Sequence, residues 1–303
     1  MILVTGANGF LGKRICTGLI GNGHRVLGLD KTHRAVDEGA AFVQCDLCDA
    51  EAVERVLEEH PIETIVHLAA LLRTVCIADP QLAARVNIGG SASLFAAAKK
   101  LNVRRIVFGS SITVYGTVSA TAEGVTEDYP PAPEDAYGGS KRYVEIMGET
   151  CQARGDFEFV AARIASVVGP GSDSATSPWR SDIFERLAAS TRAAIRFPSA
   201  SDQALPLVHV EDVAQMIGRL VESTTMRHSV YNAPSQTYTF GELANHVTSI
   251  NPQIQIAFGE SQVVGHPHRV DASQFCSEFN LCPPSLESRL RASASDAMSP
   301  DST

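Results

Sequence analysis

The first dozen residues constrain the fold of this chain more than any other part of the sequence. An apolar run, Ile2-Leu3-Val4, leads into Thr5-Gly6-Ala7-Asn8-Gly9-Phe10-Leu11-Gly12, and a helix-length segment follows. Gly6 allows a tight turn, Gly9 lets the backbone approach a pyrophosphate, and Gly12 permits close packing of helix on sheet. The start of such a helix attracts phosphates. The pattern therefore predicts a dinucleotide cradle, with a plain strand–helix turn as the alternative.

Short apolar runs alternate with helix-length segments through the first half of the chain. The runs are nearly continuous in Val, Ile, Leu and Phe, which is typical of parallel strands covered on both faces. They span residues 2–4, 26–29, 41–44, 64–68, 106–108 and 157–162. The helical segments span residues 10–21, 50–60, 80–101 and 137–154. This order predicts an α/β fold with a doubly wound parallel sheet, a Rossmann domain, over residues 1–168.

After Gly169 the alternation is less regular, and the elements become shorter. A loop is predicted over residues 171–178, and we expect a small α+β substrate-binding domain over residues 169–285, with the chain crossing back to the first domain around 205–225. Its predicted helices span residues 182–190, 211–222 and 240–249, and its predicted strands span 194–197, 230–232 and 255–258. Residues 286–303 are rich in Ser and poor in apolar side chains, so we expect a disordered tail.

Composition excludes several classes of partner. The formal net charge of the 303-residue chain is −9, whereas a protein that binds a phosphate backbone needs a basic face, so nucleic acid is not expected. No apolar run reaches the roughly 20 residues needed to cross a bilayer, and no charged leader precedes the first strand, so we expect neither a membrane span nor a secretion signal. Seven cysteines, an odd number, favour a reducing compartment and predict a cytoplasmic protein. The pair Cys45 and Cys48 lacks a second ligand pair, so no metal site is expected.

Acidic residues follow the second and third predicted strands. Asp30 stands eighteen residues after the last glycine of the cradle. A carboxylate there accepts both ribose hydroxyls and repels a 2′-phosphate, which favours NAD over NADP, although Lys31 and Arg34 can soften that preference. Asp46, followed by Leu47, ends the third strand, where a carboxylate can meet the adenine amino group. A helix N-cap is the alternative for Asp46.

A candidate proton-transfer group lies further along the chain. Tyr137-Gly138-Gly139-Ser140-Lys141 places a phenol and an amine four residues apart, on one face of a helix. A phenol with a pKa of about 10 is a poor base at neutral pH, and a nearby ammonium lowers that pKa. Ser111 ends the strand before this helix, where its hydroxyl can orient the reacting oxygen. We therefore expect Ser111, Tyr137 and Lys141 to be catalytic.

The cradle and these three residues together resemble the extended short-chain dehydrogenase/reductases, also called the NAD-dependent epimerase/dehydratase family, over about residues 1–285. The resemblance implies NAD as cofactor, a small-molecule substrate, and a homodimer that pairs through residues 80–101 and 137–154. It places His67-Leu68-Ala69-Ala70 beside the cofactor and makes Asn87 a support for Lys141. The predicted cofactor-binding residues are Gly6, Asn8, Gly9, Phe10, Leu11, Gly12, Asp30, Asp46, Leu47, Leu68, Ala69, Ala70, Asn87, Tyr137 and Lys141.

Two departures from the family pattern bear on the substrate. Members that act on nucleotide sugars carry an Asn where this chain has Ser166, and an Arg that grips the diphosphate where it has Leu205. Leu offers no donor to a diphosphate. Stretches such as Tyr231-Asn232-Ala233 look like the short-chain L-threonine dehydrogenase branch, which oxidises a small β-hydroxy acid. We therefore expect oxidation of a secondary alcohol in a small hydroxy acid or sugar acid. The alternatives are a sugar or nucleotide-sugar epimerase and a dinucleotide sensor without turnover.

Two arginines distinguish this chain from that branch, which has Ser in place of Arg73 and lacks the arginine of Ser177-Pro178-Trp179-Arg180. One of them can grip a substrate carboxylate with two parallel hydrogen bonds. The alternative is a surface ion pair with Asp79, Asp173 or Asp182. Trp179 can close the pocket or simply pack. The candidate substrate residues are Arg73, Ser111, Thr113, Ser166, Trp179 and Arg180.

Overall fold

The computed structural model describes residues 1–32, 41–119, 123–172, 177–188 and 192–296. The strands are β1 (Ile2–Thr5), β2 (Val26–Asp30), β3 (Ala41–Gln44), β4 (Thr64–His67), β5 (Arg105–Ser111), β6 (Glu158–Ile164), β7 (Ser166–Val168), β8 (Ala194–Arg196), β9 (Ala204–His209), β10 (Val230–Asn232), β11 (Gln236–Thr239) and β12 (Gln255–Ala257). The helices are α1 (Phe10–Gly21), α2 (Ala50–Glu59), α3 (Arg73–Ala78), α4 (Pro80–Ala83), α5 (Ser91–Lys100), α6 (Ala136–Ala153), α7 (Trp179–Ala188), α8 (Val210–Glu222), α9 (Phe240–Ile250), α10 (Ser273–Phe279) and α11 (Leu286–Asp296). Within the described ranges, no helix has the length and hydropathy needed to cross a bilayer.

Seven strands form the central sheet, in the order β10-β6-β5-β4-β1-β2-β3, and all of its pairings are parallel. Successive side chains point to opposite faces. In β1, Leu3 joins an apolar cluster with side chains of α2, α5 and α6, whereas Val4 joins a cluster with α1 and α8. Ile65 and Val66 of β4 alternate in the same way. The predicted doubly wound Rossmann sheet is therefore confirmed, and the strands end at one common carboxyl edge.

The segment predicted as one helix over residues 80–101 is divided. A π-helical stretch, Ala84–Gly90, separates α4 from α5. Within it, the Asn87 carbonyl accepts a hydrogen bond from the Ser91 hydroxyl at 2.6 Å. Wide turns of this kind occur frequently at functional sites. Asn87 lies in this stretch and is buried, and its contacts are described below.

A third apolar cluster lies beside the central sheet. It contains side chains of α7, α9 and α11, together with β7, β8 and β9. The three-stranded sheet β11-β9-β7 and the pair β12-β8 belong to this part of the chain. The chain then returns to the central sheet, because α8 packs against α1 and β10 pairs with β6. The boundary between residues 168 and 169 stays a prediction.

The expectation of a disordered tail is wrong for residues 286–296, which form α11. Leu286 and Leu290, one turn apart, are buried in the third cluster, and Ala294 packs against it. Arg289 also forms an ion pair with the buried carboxylate of Asp212. Because these three apolar residues are spaced four apart, they lie on one face of the helix, and this face packs the Ser-rich helix against the third cluster. Residues 297–303 lie outside the described ranges.

Candidate active site

The turn between β1 and α1 forms a close-fitting backbone cradle. Gly6 has a φ of +71°, and a Cβ there would lie 2.8 Å from the Ala69 nitrogen. A Cβ on Gly12 would lie 2.1 Å from the Gly6 carbonyl oxygen. No described side chain caps α1, so its first N–H groups stay available to an anion. The residues of this turn are Gly6, Asn8, Gly9, Phe10, Leu11 and Gly12.

Asp30, at the end of β2, lies beside this turn. Its carboxylate accepts hydrogen bonds from the Asn8 backbone N–H at 3.2 Å and from the Thr32 hydroxyl at 3.1 Å. The Asn8 amide also donates to the Thr32 carbonyl oxygen at 2.6 Å. Lys31 is exposed, and Arg34 lies outside the described residues. An acceptor carboxylate beside a phosphate cradle fits the adenosine ribose of a dinucleotide.

Asp46 and Leu47 follow β3 at the same edge of the sheet. Asp46 is exposed, and its Oδ1 accepts from the Cys48 N–H at 2.9 Å. The N-cap of α2 is Asp49, which accepts from the Ala52 N–H at 3.0 Å. The alternative that made Asp46 the N-cap is therefore wrong. Leu47 is buried, and contact of Asp46 with adenine stays a prediction.

A buried polar chain through His67 holds the loop after β4. The N–H groups of Leu68 and Ala69 both donate to Thr5 Oγ1 at 3.2 Å. The Thr5 proton is thus directed to His67 Nδ1 at 2.8 Å, and His67 Nε2 donates to Ser91 Oγ, also at 2.8 Å. Burial lowers the pKa of His67 to about 3, so the ring is neutral. The chain fixes this half-buried loop, which continues through Ala70, at the rim of the cradle.

This neutral histidine predicts a pH-dependent stability. Folding lowers the pKa of His67 from 6.5 to about 3. Between these two pH values the unfolded state therefore binds a proton at His67 that the folded state does not bind. The contribution of His67 is complete above about pH 6.5 and is lost as the pH falls. Thermal unfolding of the wild type and of His67→Gln is measured at about pH 7 and at about pH 4. The fall in stability between these two pH values should be smaller in His67→Gln than in the wild type. An equal fall in both proteins would contradict the neutral state of His67. Burial also lowers the pKa of His209, to about 4, but His209 is present in both proteins and affects them equally.

Asn87 connects this loop to α6. Its Oδ1 accepts from the Leu71 N–H at 2.7 Å. Its amide donates to Ser140 Oγ at 3.2 Å and to Cys76 Sγ at 3.4 Å. The resemblance implied that Asn87 supports Lys141, but its contact on α6 is the neighbouring residue, Ser140. Any support of Lys141 is therefore indirect, through the position of the helix.

Ser111 ends β5 at the carboxyl edge of the sheet, and Tyr137 lies in the first turn of α6. The two side chains interact, since Ser111 lowers the pKa of Tyr137 against the larger effect of burial. Ser111 Oγ accepts from the Thr113 N–H at 3.2 Å and from the Thr113 hydroxyl at 3.0 Å. Burial raises the pKa of Tyr137 to about 12, against the lowering effects of the Ser111 hydrogen bond and the Arg180 charge.

Lys141 lies one turn after Tyr137 and is buried. Its Nζ donates to the Gly109 carbonyl oxygen at 2.7 Å, and it lies 5.7 Å from the centroid of the Tyr137 ring. Burial lowers the pKa of Lys141 to about 8. The sequence predicted that Lys141 lowers the pKa of Tyr137, whereas burial dominates and raises it. The ammonium is drawn to the Gly109 carbonyl and approaches the phenol ring.

Arg73 lies at the start of α3 and is already paired. Its Nε lies 2.5 Å from Oδ2 of Asp135, the N-cap residue of α6. The ion-pair alternative thus fits Arg73, but with a partner that the sequence did not suggest. Asp79 caps α4, Asp182 pairs with another arginine, and Asp173 lies outside the described residues.

Arg180, unlike Arg73, has a buried guanidinium N–H group without a partner among the described residues. No described residue accepts a hydrogen bond from its buried Nε. Its carbonyl oxygen accepts from the Gly169 N–H at 3.0 Å, which places it at the carboxyl end of β7. His266 lies near both arginines: burial, and then the charges of Arg73 and Arg180, lower its pKa. Sequence reasoning missed His266, because a single histidine in an irregular segment carries no pattern.

The remaining substrate candidates are placed less centrally. Trp179 is 3% exposed and packs edge-on against the rings of Phe197 and Phe240. The structure thus places Trp179 in the third apolar cluster, as its packing alternative expected. Ser166 is half-buried at the start of β7, and Thr113 donates hydrogen bonds to Ser111 Oγ from its N–H and its hydroxyl.

A protein-family model and several curated proteins match this chain. Residues 2–233 match the model of the NAD dependent epimerase/dehydratase family. The UDP-glucose 4-epimerase of Mycolicibacterium smegmatis is 32% identical over 228 residues, 72% of each chain. That of Bacillus subtilis is 33% identical over 156 residues, 48% of this chain and 45% of the relative. The chain thus spans about half the length of some of the curated relatives it matches.

Two solved structures illustrate the shared fold. Thermus thermophilus UDP-glucose 4-epimerase, in complex with NAD, is 24% identical, with a TM-score of 0.84 and 99% coverage of both chains. A GalE-like L-threonine dehydrogenase from Cupriavidus necator is 20% identical, with a TM-score of 0.88, covering 97% of this chain and 99% of that one.

Proposed function

Since the chain belongs to the NAD-dependent epimerase/dehydratase family, we propose that this NAD-dependent enzyme transfers a hydride between NAD and the secondary alcohol of a small hydroxy acid or sugar acid. The observation that carries the proposal is the placement of Ser111 at the carboxyl end of β5 and of Tyr137 in the first turn of α6, with the buried Lys141 Nζ 5.7 Å from the centroid of the Tyr137 ring. The fitted turn at Gly6 and Gly12 and the acceptor carboxylate of Asp30 support NAD as the cofactor.

The chain's own residues divide the proton-transfer work. Tyr137 Oη exchanges a proton with the substrate oxygen, and Ser111 hydrogen-bonds and orients that same oxygen. Lys141 supplies a buried positive charge beside the phenol ring. Oxidised nicotinamide, when bound, accepts the hydride and adds a further positive charge. A phenol whose pKa burial raises to about 12 stays protonated until positive charge favours its ionised form, which limits proton loss without ligands.

A second candidate, a sugar or nucleotide-sugar epimerase, is favoured by the curated relatives, which include UDP-glucose 4-epimerases. Against it, Leu205, at the position where nucleotide-sugar enzymes carry the diphosphate arginine, is 6% exposed and belongs to the third apolar cluster. A buried leucine offers no donor to a diphosphate. Ser166 likewise replaces the expected Asn.

One experiment separates these functions. The enzyme is incubated with NAD and a panel of hydroxy acids, sugar acids and nucleotide sugars, and the absorbance of free NADH is followed. We expect NADH in stoichiometric amounts with a hydroxy acid or sugar acid. An isomerised sugar without free NADH would establish the epimerase instead. NAD binding without any turnover across the panel would point to a sensor.

We also propose that the protein is a homodimer that pairs through α5 and α6. Tyr143 and Ile146 of α6 are large apolar side chains that are 53% and 46% exposed, and α5, which packs against α6, also exposes Ala92 and Ala96. Ile146→Glu should therefore convert the dimer to a monomer, because it buries a charge at the interface. Sedimentation of both proteins tests this. A wild-type monomer, or a dimeric variant, would reject the proposed interface.

The cellular location and the other partners remain proposals based on the sequence. The cysteine count favours the cytoplasm, and the net charge of −9 disfavours a nucleic-acid partner. A small molecule is thus the expected partner at the site.

A further inference from the structure

Positive charge exceeds negative charge around the place where a substrate meets Tyr137. Burial raises the pKa of Tyr137 and lowers that of His266, and the charge of Arg180 acts on both groups in the lowering direction. The buried Nε of Arg180 has no hydrogen-bond acceptor among the described residues. Arg73 also affects His266. Asp135 pairs with Arg73 through its Oδ2 at 2.5 Å. Its negative charge is therefore balanced, and the charge of Arg180 is left without a partner carboxylate in the described part of the site.

Glu134 is the carboxylate that influences the ionisation of His266, and it is engaged elsewhere. Its Oε1 accepts from the Thr117 N–H at 2.8 Å, and its Oε2 accepts from the Thr117 hydroxyl at 2.9 Å. Thr117 Oγ1 also accepts from the Gly265 N–H at 2.8 Å. These contacts fix the segment next to His266 without supplying an acceptor to Arg180.

The backbone at Arg180 is anchored on both sides of the residue's side chain. Its neighbour Trp179 packs in the third apolar cluster, and its carbonyl oxygen is bound by Gly169. An arginine without an acceptor for a buried N–H group carries a desolvation cost, which an incoming anion would offset. A guanidinium on a rigid support is suited to bind a carboxylate through two parallel hydrogen bonds.

We propose that Arg180 binds a carboxylate of the substrate, so that the site selects small hydroxylated acids over neutral alcohols. This inference rests on the proposed function, because it names the substrate class of the same site. Arg73 takes the other role that the sequence left open: its ion pair with Asp135 fixes the N-terminus of α6, next to Tyr137. A Cβ on Gly265 would lie 2.3 Å from Arg73 Nη2, so this ion pair also abuts the segment that carries His266.

The test uses malonate as the anion and malonamide as its neutral analogue. Each is titrated into the full-length protein loaded with NADH, and binding is measured by calorimetry. The variants are Arg180→Gln and, as a matched control, Arg186→Gln. Arg186 lies on the same helix, is 51% exposed and pairs with Asp182. We expect malonate to bind the wild type and the control equally, Arg180→Gln to bind it roughly 10- to 100-fold more weakly, and malonamide to bind none of them.

Several results would overturn the inference. They are a wild type that does not bind malonate, equal binding by Arg180→Gln, equal losses in Arg186→Gln, or malonamide bound as tightly as malonate. If Arg180→Gln does not fold, Arg180→Lys replaces it. Lysine keeps the positive charge but cannot form two parallel hydrogen bonds with a carboxylate, so the affinity for malonate should still fall.

Failure of the proposed function would look different. The wild type would then bind malonate through Arg180 but form no NADH with any hydroxy acid or sugar acid. Conversely, equal rates of NADH formation from neutral secondary alcohols and from acids would overturn the role of Arg180 and leave the oxidoreductase proposal intact.

Discussion

Replacing Tyr137 with phenylalanine is expected to lower kcat by roughly 10²- to 10⁴-fold, the usual contribution of a positioned acid–base group. The substitution removes the phenol hydroxyl that interacts with Ser111 and leaves the aromatic ring in place. Because the turn at Gly6 and the carboxylate of Asp30 are untouched, NAD affinity should change little. Steady-state rates and a fluorescence titration with NADH measure the two effects separately.

Tyr129→Phe is the matched control for this variant. Tyr129 is 41% exposed and lies outside both the candidate site and the proposed dimer face, so removal of its hydroxyl should leave kcat unchanged. Normal turnover by Tyr137→Phe, or an equal loss in both variants, would show that the Tyr137 hydroxyl does not transfer the proton.

The second large effect is expected at the cradle. In Gly12→Ala, the new Cβ would lie 2.1 Å from the Gly6 carbonyl oxygen, a backbone atom that no rotamer change can move. Strain of this kind costs about 1–3 kcal/mol, and it displaces the turn whose N–H groups face the phosphates. We expect loss of measurable NADH binding together with a lower free energy of unfolding. Denaturant unfolding and the NADH titration measure both.

Gly18→Ala provides the control within the same helix. A Cβ on Gly18 meets nothing within 4 Å. The substitution should therefore stabilise the protein by about 0.5–1 kcal/mol through helix propensity and leave NADH binding unchanged. Full NADH affinity in Gly12→Ala would mean that the cofactor does not depend on this turn.

Local patterns explain why much of the fold was predictable. The glycine spacing and the strand–helix alternation involve neighbours in sequence, so α1 and β3 were predicted with the bounds that the structure shows. The alternation of Leu3 and Val4 between two apolar clusters follows directly from the pleat of a strand. The positions of Ser111 and Tyr137 follow in turn, because the carboxyl ends of parallel strands share one edge.

The features that the sequence did not predict depend on contacts between distant residues. Asp135 meets Arg73 across 62 positions of the chain, and no local pattern pairs them. The same reason hides His266, which only the fold brings near both arginines. The burial that raises the pKa of Tyr137 is likewise a property of the packed structure. Helix α11 was missed because its apolar residues are few. Their spacing indicates a buried helix face only once the third apolar cluster is known.

A crystal structure of the NAD complex would show directly whether the cradle and the catalytic residues face the cofactor. We expect dinucleotide density along the turn from Gly6 to Gly12, with the adenosine ribose at Asp30. The reactive carbon of the nicotinamide ring should face the hydroxyl groups of Ser111 and Tyr137. An empty cradle in crystals saturated with NAD, or a nicotinamide ring that faces away from Tyr137, would contradict this expectation.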